Sequence, residues 1–187
     1  NSQKTDLHFV YGPWTHGGWH NPDYEGLGDH KFGVNLSRYF MENIEYPFFR
    51  YYLEGKGKRP EPVYIAASGS DEWQTMDVWP NKDLNYISLY LNDGKSLSCE
   101  EETVENCVSS YASDPSAPVP FMKDASRRDK SYMVADQSFA SERADVITFT
   151  GAPQEQVLKL QGPVKVDLNI SISTDDADVV VKLIEVY

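Results

Sequence analysis

The chain has 187 residues, 40% of them apolar and 13% aromatic, and a formal net charge of −12. Its length and apolar content support one large domain, or one and a half small ones, and exclude a disordered tail. The negative balance repels phosphate backbones and argues against nucleic acid as a partner. No apolar run reaches the roughly 18 residues that a membrane-spanning helix requires.

The chain opens on the polar stretch Asn1 to Asp6, which has neither an initiator methionine nor a signal peptide and is expected to be an internal start. Leu7 to Tyr11 is a short apolar run that predicts a buried strand. Residues 12–35 are rich in Gly, Asp, His and Asn and predict a long loop, and such loops are often functional. From Leu36 to Leu53 the residues Leu36, Tyr39, Phe40, Ile44, Phe48, Tyr51 and Tyr52 recur at helical spacing, which predicts an amphipathic helix. Pro47 must kink that helix or begin a second one, and Gly55 and Gly57 supply the stop. The stretch Lys58 to Pro62 reads as a connector, and a domain boundary is placed between 58 and 59.

Beyond the connector the pattern becomes one of short strands separated by turns. Strands are expected at Pro62–Ala67, Asn85–Leu91, Tyr132–Phe139, Asp145–Thr150 and Gln156–Leu160, with turns at Ser68–Asp71, Asn92–Gly94 and Gly151–Pro153. Pro163 to Ile172 alternates strictly, with Val164, Val166, Leu168, Ile170 and Ile172 on one side, and predicts a strand with one buried face. Asp178 to Tyr187 is apolar on both sides and predicts a central strand. This spacing predicts a mainly β chain built as a sandwich. A sandwich cut at Tyr187 would expose an edge, so the natural protein is expected to continue. Cys99 and Cys107 flank an acidic run and fit no zinc pattern. A disulfide or two free thiols satisfy their spacing equally, which leaves the compartment open.

The chemistry concentrates in Gly12-Pro13-Trp14-Thr15-His16-Gly17-Gly18-Trp19. A histidine placed just after a strand can act as a general base, although a solitary loop histidine is more often a hydrogen-bonding residue than a catalyst. His8 reads as a strand residue, and His20 and His30 as loop residues. No G-x-S-x-G motif occurs, and Ser68 and Ser70 sit in a turn that no helix follows. Asp6 lies about 30 Å from His16 on an extended path, while Asp23, Glu25 and Asp29 read as solvated loop carboxylates. If His16 belongs to a triad, the rest of that triad lies outside this chain. His16 and His20 have the spacing of a zinc-binding helix, but Gly17-Gly18 and Asn21-Pro22 break any helix there. The trio Asp175, Asp176 and Asp178 matches no EF-hand loop. Neither a metal nor another cofactor is expected.

The order of motifs along the chain resembles the C-terminal part of the X-Pro dipeptidyl-peptidase-like acyl hydrolases, a group that includes cocaine esterases, α-amino-acid ester hydrolases and glutaryl-cephalosporin acylases. The resemblance runs through Gly12–His16, Pro47–Gly57, Ser70–Trp73, Trp79-Pro80, Leu89–Gly94, Tyr111–Pro115, Pro118–Pro120, Asp145–Thr150, Gly162–Val164 and Val179–Ile184. It implies a jelly-roll β-sandwich, residues 59–187, preceded by the last strand and helix of an α/β-hydrolase domain, residues 1–58. It also implies that His16 is the catalytic histidine of a Ser-His-Asp triad. The serine, the aspartate and an oxyanion-binding tyrosine would lie upstream in the same parent chain, and the jelly roll would continue past Tyr187.

The substrate implied is a small ester or amide, or a short peptide. Trp14 and Trp19 are candidates for lining its pocket, with packing beneath the histidine loop the favoured reading for Trp14. Trp73 and Trp79 are expected in the sandwich core or its contact with the hydrolase. The competing reading is a jelly-roll module that binds carbohydrate or another ligand without catalysis. A free-standing module of that kind has no need of the strand, histidine loop and helix that come first. A third role for the sandwich is self-association into a homo-oligomer.

Overall fold

A computed structural model describes residues 5–70, 72–102 and 107–186. Among these residues it contains eight short strands in three sheets, with only three α-helices, and is mainly β. The first sheet has the order β1 (Phe9–Tyr11), β4 (Val63–Ala66), β5 (Trp73–Met76). β1 runs parallel to β4 with Phe9 opposite Val63 and Tyr11 opposite Ile65. β4 pairs antiparallel with β5, placing Ala66 opposite Trp73. Val63, Ile65 and Ala66 are buried and form the centre of the packed region with Leu36 and Ile44.

Parallel neighbours cannot be joined by a tight turn, and residues 12–62 make the crossover between β1 and β4. Its outward half holds a 3₁₀ turn at Gly18–His20 and a small hairpin, β2 (Gly26–Leu27) with β3 (His30–Lys31). The return half is helical. α1 (Leu36–Phe40) passes through a π-turn at Met41–Glu45 into α2 (Tyr46–Glu54), which carries Pro47 in its first turn. Proline lacks an N–H and its ring collides with the carbonyl four residues back. The wider π-turn just before it removes that collision without ending the helix. Gly55 closes α2 in the left-handed conformation, φ 68°. The helix was expected to bury an apolar face, and it does so at Leu36 and Ile44, whereas Tyr39 and Tyr52 of that face are exposed and α2 has no buried residue.

The second well-formed unit is β6 (Tyr90–Asn92) paired with β7 (Ser96–Ser98), with β8 (Thr150–Gly151) parallel to β7. The turn at Asn92–Gly94 lies between β6 and β7, and Gly94 has φ 62°. Asn92, 5% exposed, holds this corner. Its side-chain amide donates to Ser98 Oγ at 2.9 Å and to the Glu100 carbonyl at 2.8 Å, and its carbonyl accepts the Glu102 N–H at 3.1 Å. Arg143 ties the later segments together, donating to both oxygens of Asp145 and to the Ala117 carbonyl. The guanidinium holds the Asp145 carboxyl below its ordinary range.

Several expected strands are absent. Tyr132–Phe139 is instead a 3₁₀ turn at Tyr132–Val134 followed by α3 (Ser138–Ser141). Asp129 accepts the N–H and hydroxyl of Ser131, and Asp136 those of Ser138. These local bonds compete with a ladder. Asn85–Leu91 contracts to β6 and Asp145–Thr150 to β8, while β5 and β7 arise where no strand was expected. Gln156–Leu160, Pro163–Ile172 and residues 178–186 form no ladder; Tyr187 falls outside the described residues. The face expected to be buried is open, with Val164 73% and Ile170 62% exposed. The accessible surface, 15591 Å², far exceeds the roughly 9,000 Å² of a compact monomer of this length.

Replacing Asn92 by Ala leaves the Glu102 N–H without its acceptor and removes one of two donors to the Glu100 carbonyl, which keeps Ser98 Oγ at 2.7 Å. It is expected to destabilise the β6–β7 corner by about 1–3 kcal/mol, read as a lower denaturation midpoint. An unchanged midpoint would show that the corner is held by something else.

Candidate functional site

His16 lies on the loop that leaves the C-terminal end of β1. The loop folds tightly from its first residue: the Trp14 N–H donates to the Gly12 carbonyl at 2.9 Å, and the Trp14 ring packs over the bare Cα of Gly12. A Cβ on Gly12 would sit 2.4–2.7 Å from that ring. Gly17 takes a left-handed conformation, φ 80°, that favours glycine. The Gly18 N–H then closes a turn on the Thr15 carbonyl at 2.8 Å.

Two further bonds fix the turn to the protein, and Asn35 ties down the segment that follows it. The Thr15 N–H donates to the hydroxyl of buried Tyr24 at 2.9 Å. Ser37, fully buried in α1, donates through Oγ to the Gly18 carbonyl at 3.1 Å. Asn35 caps α1 by accepting the Arg38 N–H at 2.8 Å and donates through its amide to the Pro22 carbonyl. The loop carrying His16 is thus held between the end of β1 and the start of α1. Tyr24, Asn35 and Ser37 were not singled out from the sequence. An N-cap asparagine directly before the periodic apolar run is the signal that would have found Asn35.

The His16 ring is exposed and meets the Trp19 ring edge-on at 5.9 Å and 89°. Among the described residues no hydrogen-bond partner meets either of its nitrogens, so both can exchange protons with a group brought from outside. Asp6 is committed elsewhere, to Tyr52 and Arg59, and Asp23, Glu25 and Asp29 are exposed. After β4 the Ser70 N–H bonds to the Ala67 carbonyl, and Ser70 Oγ accepts the Glu72 N–H. The element that follows is a strand, β5. Among the described residues no three His, Cys, Asp or Glu side chains gather as a metal site would require. Cys99 and Cys107 are free thiols. Asp93, which accepts from Cys107 Sγ at 3.4 Å, pushes that thiol up.

Trp14 and Trp19 share a hollow of about 380 Å³ with Val10, Tyr11, Gly12 and Phe40. Trp14 is also packed beneath the loop, 5.2 Å from Phe40 and 5.7 Å from Trp73, and Trp73 stacks on Tyr39 at 5.5 Å. The indole nitrogens of Trp14 and Trp73 are buried without an acceptor among the described residues. Trp79 stacks on Phe9 of β1 at 5.9 Å.

Residues 45–187 match the family described as the X-Pro dipeptidyl-peptidase C-terminal non-catalytic domain. The chain is 26% identical to cocaine esterase from Rhodococcus sp. (strain MB1 Bresler), across 98% of its own length and 34% of the esterase. Among solved structures it is similar to an α-amino-acid ester hydrolase, with a TM-score of 0.71 and 31% identity, covering 83% of this chain and 27% of that one. It is also similar to an aminopeptidase from a marine sediment archaeon, Thaumarchaeota archaeon, with a TM-score of 0.66 and 28% identity, covering 75% of this chain and 24% of that one. The chain therefore spans about a third of the length of the curated relative and about a quarter of each structural one.

Gly12→Ala forces a carbon into the Trp14 ring. It is expected to cost about 1–3 kcal/mol and to shift the tryptophan emission as the indole moves. An unaltered spectrum and stability would contradict the close packing that sets the loop.

Proposed function

This chain belongs to the X-Pro dipeptidyl-peptidase-like family, as its C-terminal part, and from that premise we propose that it is the C-terminal portion of a serine acyl hydrolase that cleaves esters or amides. His16 is the base of its Ser-His-Asp triad. It takes the proton from the serine hydroxyl as the oxygen attacks the substrate carbonyl, and returns it to the leaving group. The serine and aspartate come from the upstream hydrolase domain of the same parent, of which residues 1–58 are the end. Residues 59–187 are jelly-roll sequence that shapes and supports the site.

The observation that carries this reading is the His16 loop itself. A solvent-facing imidazole with both nitrogens uncommitted stands on a turn fixed by Tyr24 and Ser37, upstream of residue 45, where the family domain begins. Relatives that are esterases, ester hydrolases and aminopeptidases support it. The hollow beside Trp19 suits the apolar part of a small ester or amide, with Trp14 as its floor. The large open surface, with Val164, Ile170 and Val180 uncovered, supports folding against further polypeptide of the same parent. The second reading, a ligand-binding module without catalysis, is favoured by the non-catalytic description of the matched domain. It leaves the fixed His16 turn without a purpose.

In the full-length parent, His16→Ala is expected to lower kcat on a p-nitrophenyl ester by about 10³-fold or more, with circular dichroism unchanged. Full activity in that variant would make His16 structural. The 187-residue chain alone is expected to be inactive on the same ester, and robust turnover by it would refute the need for an external serine.

A further inference from the structure

The helical return of the crossover encloses, with the start of β1 and with β4, a hollow of about 220 Å³. Four aromatic side chains wall it: Phe40 of α1, Phe48 and Phe49 of α2, and Tyr64 of β4. The rings of Phe48 and Phe49 stand at 86° to one another with centroids 5.4 Å apart, so they wall it from two directions. Phe49 is exposed and marks the open side, while Phe40, Phe48 and Tyr64 are half-buried.

Among the described residues Glu45 is the only acid on this lining, and it has neither a hydrogen bond nor an ion pair through its side chain. It is half-buried and ends the π-turn. Asp6, Glu54 and Asp145, by contrast, each meet a cation. His8 also lines the hollow, but its ring nitrogens lie 2.8 Å from the Glu61 carbonyl and 2.8 Å from the Tyr52 hydroxyl, and neither is left for Glu45. The Tyr64 hydroxyl already accepts the Glu61 N–H at 2.8 Å.

These features select the charge of a guest and then its kind. A carboxylate drawn partly out of water gains by meeting a positive group, and aromatic faces carry negative potential that attracts the same sign. A metal ion asks for several oxygen ligands and finds one carboxylate. A primary ammonium brings three N–H donors and a guanidinium five, more than one carboxylate and one engaged phenol can accept. A quaternary ammonium has no N–H to satisfy, and its methyl groups pack against rings. An apolar cavity of about 150 Å³ takes benzene, so this hollow has room for a trimethylammonium group with a short tail.

We propose that the hollow is a binding site for a small quaternary ammonium ligand, its charge met by Glu45 and its methyl groups by Phe40, Phe48, Phe49 and Tyr64. The π-turn supports this assignment, since such turns are rare and frequently mark functional sites, and this one ends on the unpaired acid. The formal charge of −12 favours the approach of cations. The site rests on no part of the esterase reading and makes no use of His16.

The test is calorimetric titration of the full-length parent with choline, with its uncharged carbon isostere neohexanol, and with its primary-amine analogue ethanolamine. Choline is expected to bind with Kd on the order of 1 mM, and the other two about tenfold more weakly or worse. Glu45→Gln is expected to weaken choline about tenfold, and Phe48→Leu several-fold, with circular dichroism unchanged in both. Equal binding of neohexanol would reduce the site to an apolar hollow and overturn the proposal. Equal binding of ethanolamine would overturn the choice of a quaternary ligand. Choline that fails to bind, as when another part of the parent fills the hollow, would overturn the site itself, and so would a Glu45→Gln variant that binds it undiminished.

Discussion

The parallel pairing of β1 with β4 is the constraint from which the rest of the site follows. Two strands running the same way force the chain out and back between them. That detour brings a loop to the C-terminal end of β1 and a helix to carry the chain home. His16 is placed by the outward turn and its supports by the return. Ser37 and Asn35 belong to the first turn of α1, and Tyr24 to the segment leading there. A side chain on a loop thereby gains some of the fixity of a regular element, which the proposed catalytic role requires. At the other end of the same crossover, His8, Tyr52 and Glu61 join β1 to α2 and to the connector.

The pairing also joins the two halves of the chain. The connector at 58–62 reads as a boundary in sequence, yet β1 before it and β4 after it are neighbours in one sheet. The His16 loop and the first strands after the connector therefore share a framework, and Trp14 meets Trp73 of β5 across it. In the proposed parent enzyme, this gives a non-catalytic domain a mechanical hold on a catalytic loop. The family match beginning at residue 45, inside the π-turn before α2, cuts the crossover in the same region.

Legibility in the sequence divides along physical lines. β4 and the start of the helix were readable because Val63, Ile65, Leu36 and Ile44 are buried within this chain; β1 was readable as an apolar run, although Phe9 and Tyr11 are exposed rather than buried as expected, and Pro47 marked its place through its own covalent geometry. β5 escaped because Trp73-Gln74-Thr75-Met76 has no apolar run, and its extended form comes from pairing with β4. Tyr132–Phe139 misled because composition favoured a strand while the neighbouring Asp and Ser pairs made cheaper local bonds. The alternation at 163–172 encodes a half-buried face, but a face is buried only when something covers it, and here Val164 and Ile170 stand open. At the site, His16 and the two tryptophans were visible as residue types in an unusual loop. Tyr24 and Ser37 were not, because their roles lie in single contacts across distant positions. The contacts of His8 with Tyr52 and Glu61 were equally hidden, since they depend on which atoms meet rather than on spacing.

The central claim is that His16 stands beside a serine nucleophile supplied by the rest of the parent. The most direct measurement is a structure of that full-length enzyme with its serine trapped by a fluorophosphonate. The account predicts a His16 ring nitrogen within hydrogen-bond reach, about 3 Å, of the modified serine oxygen. A different histidine in that place, with His16 remote from the adduct, would contradict it.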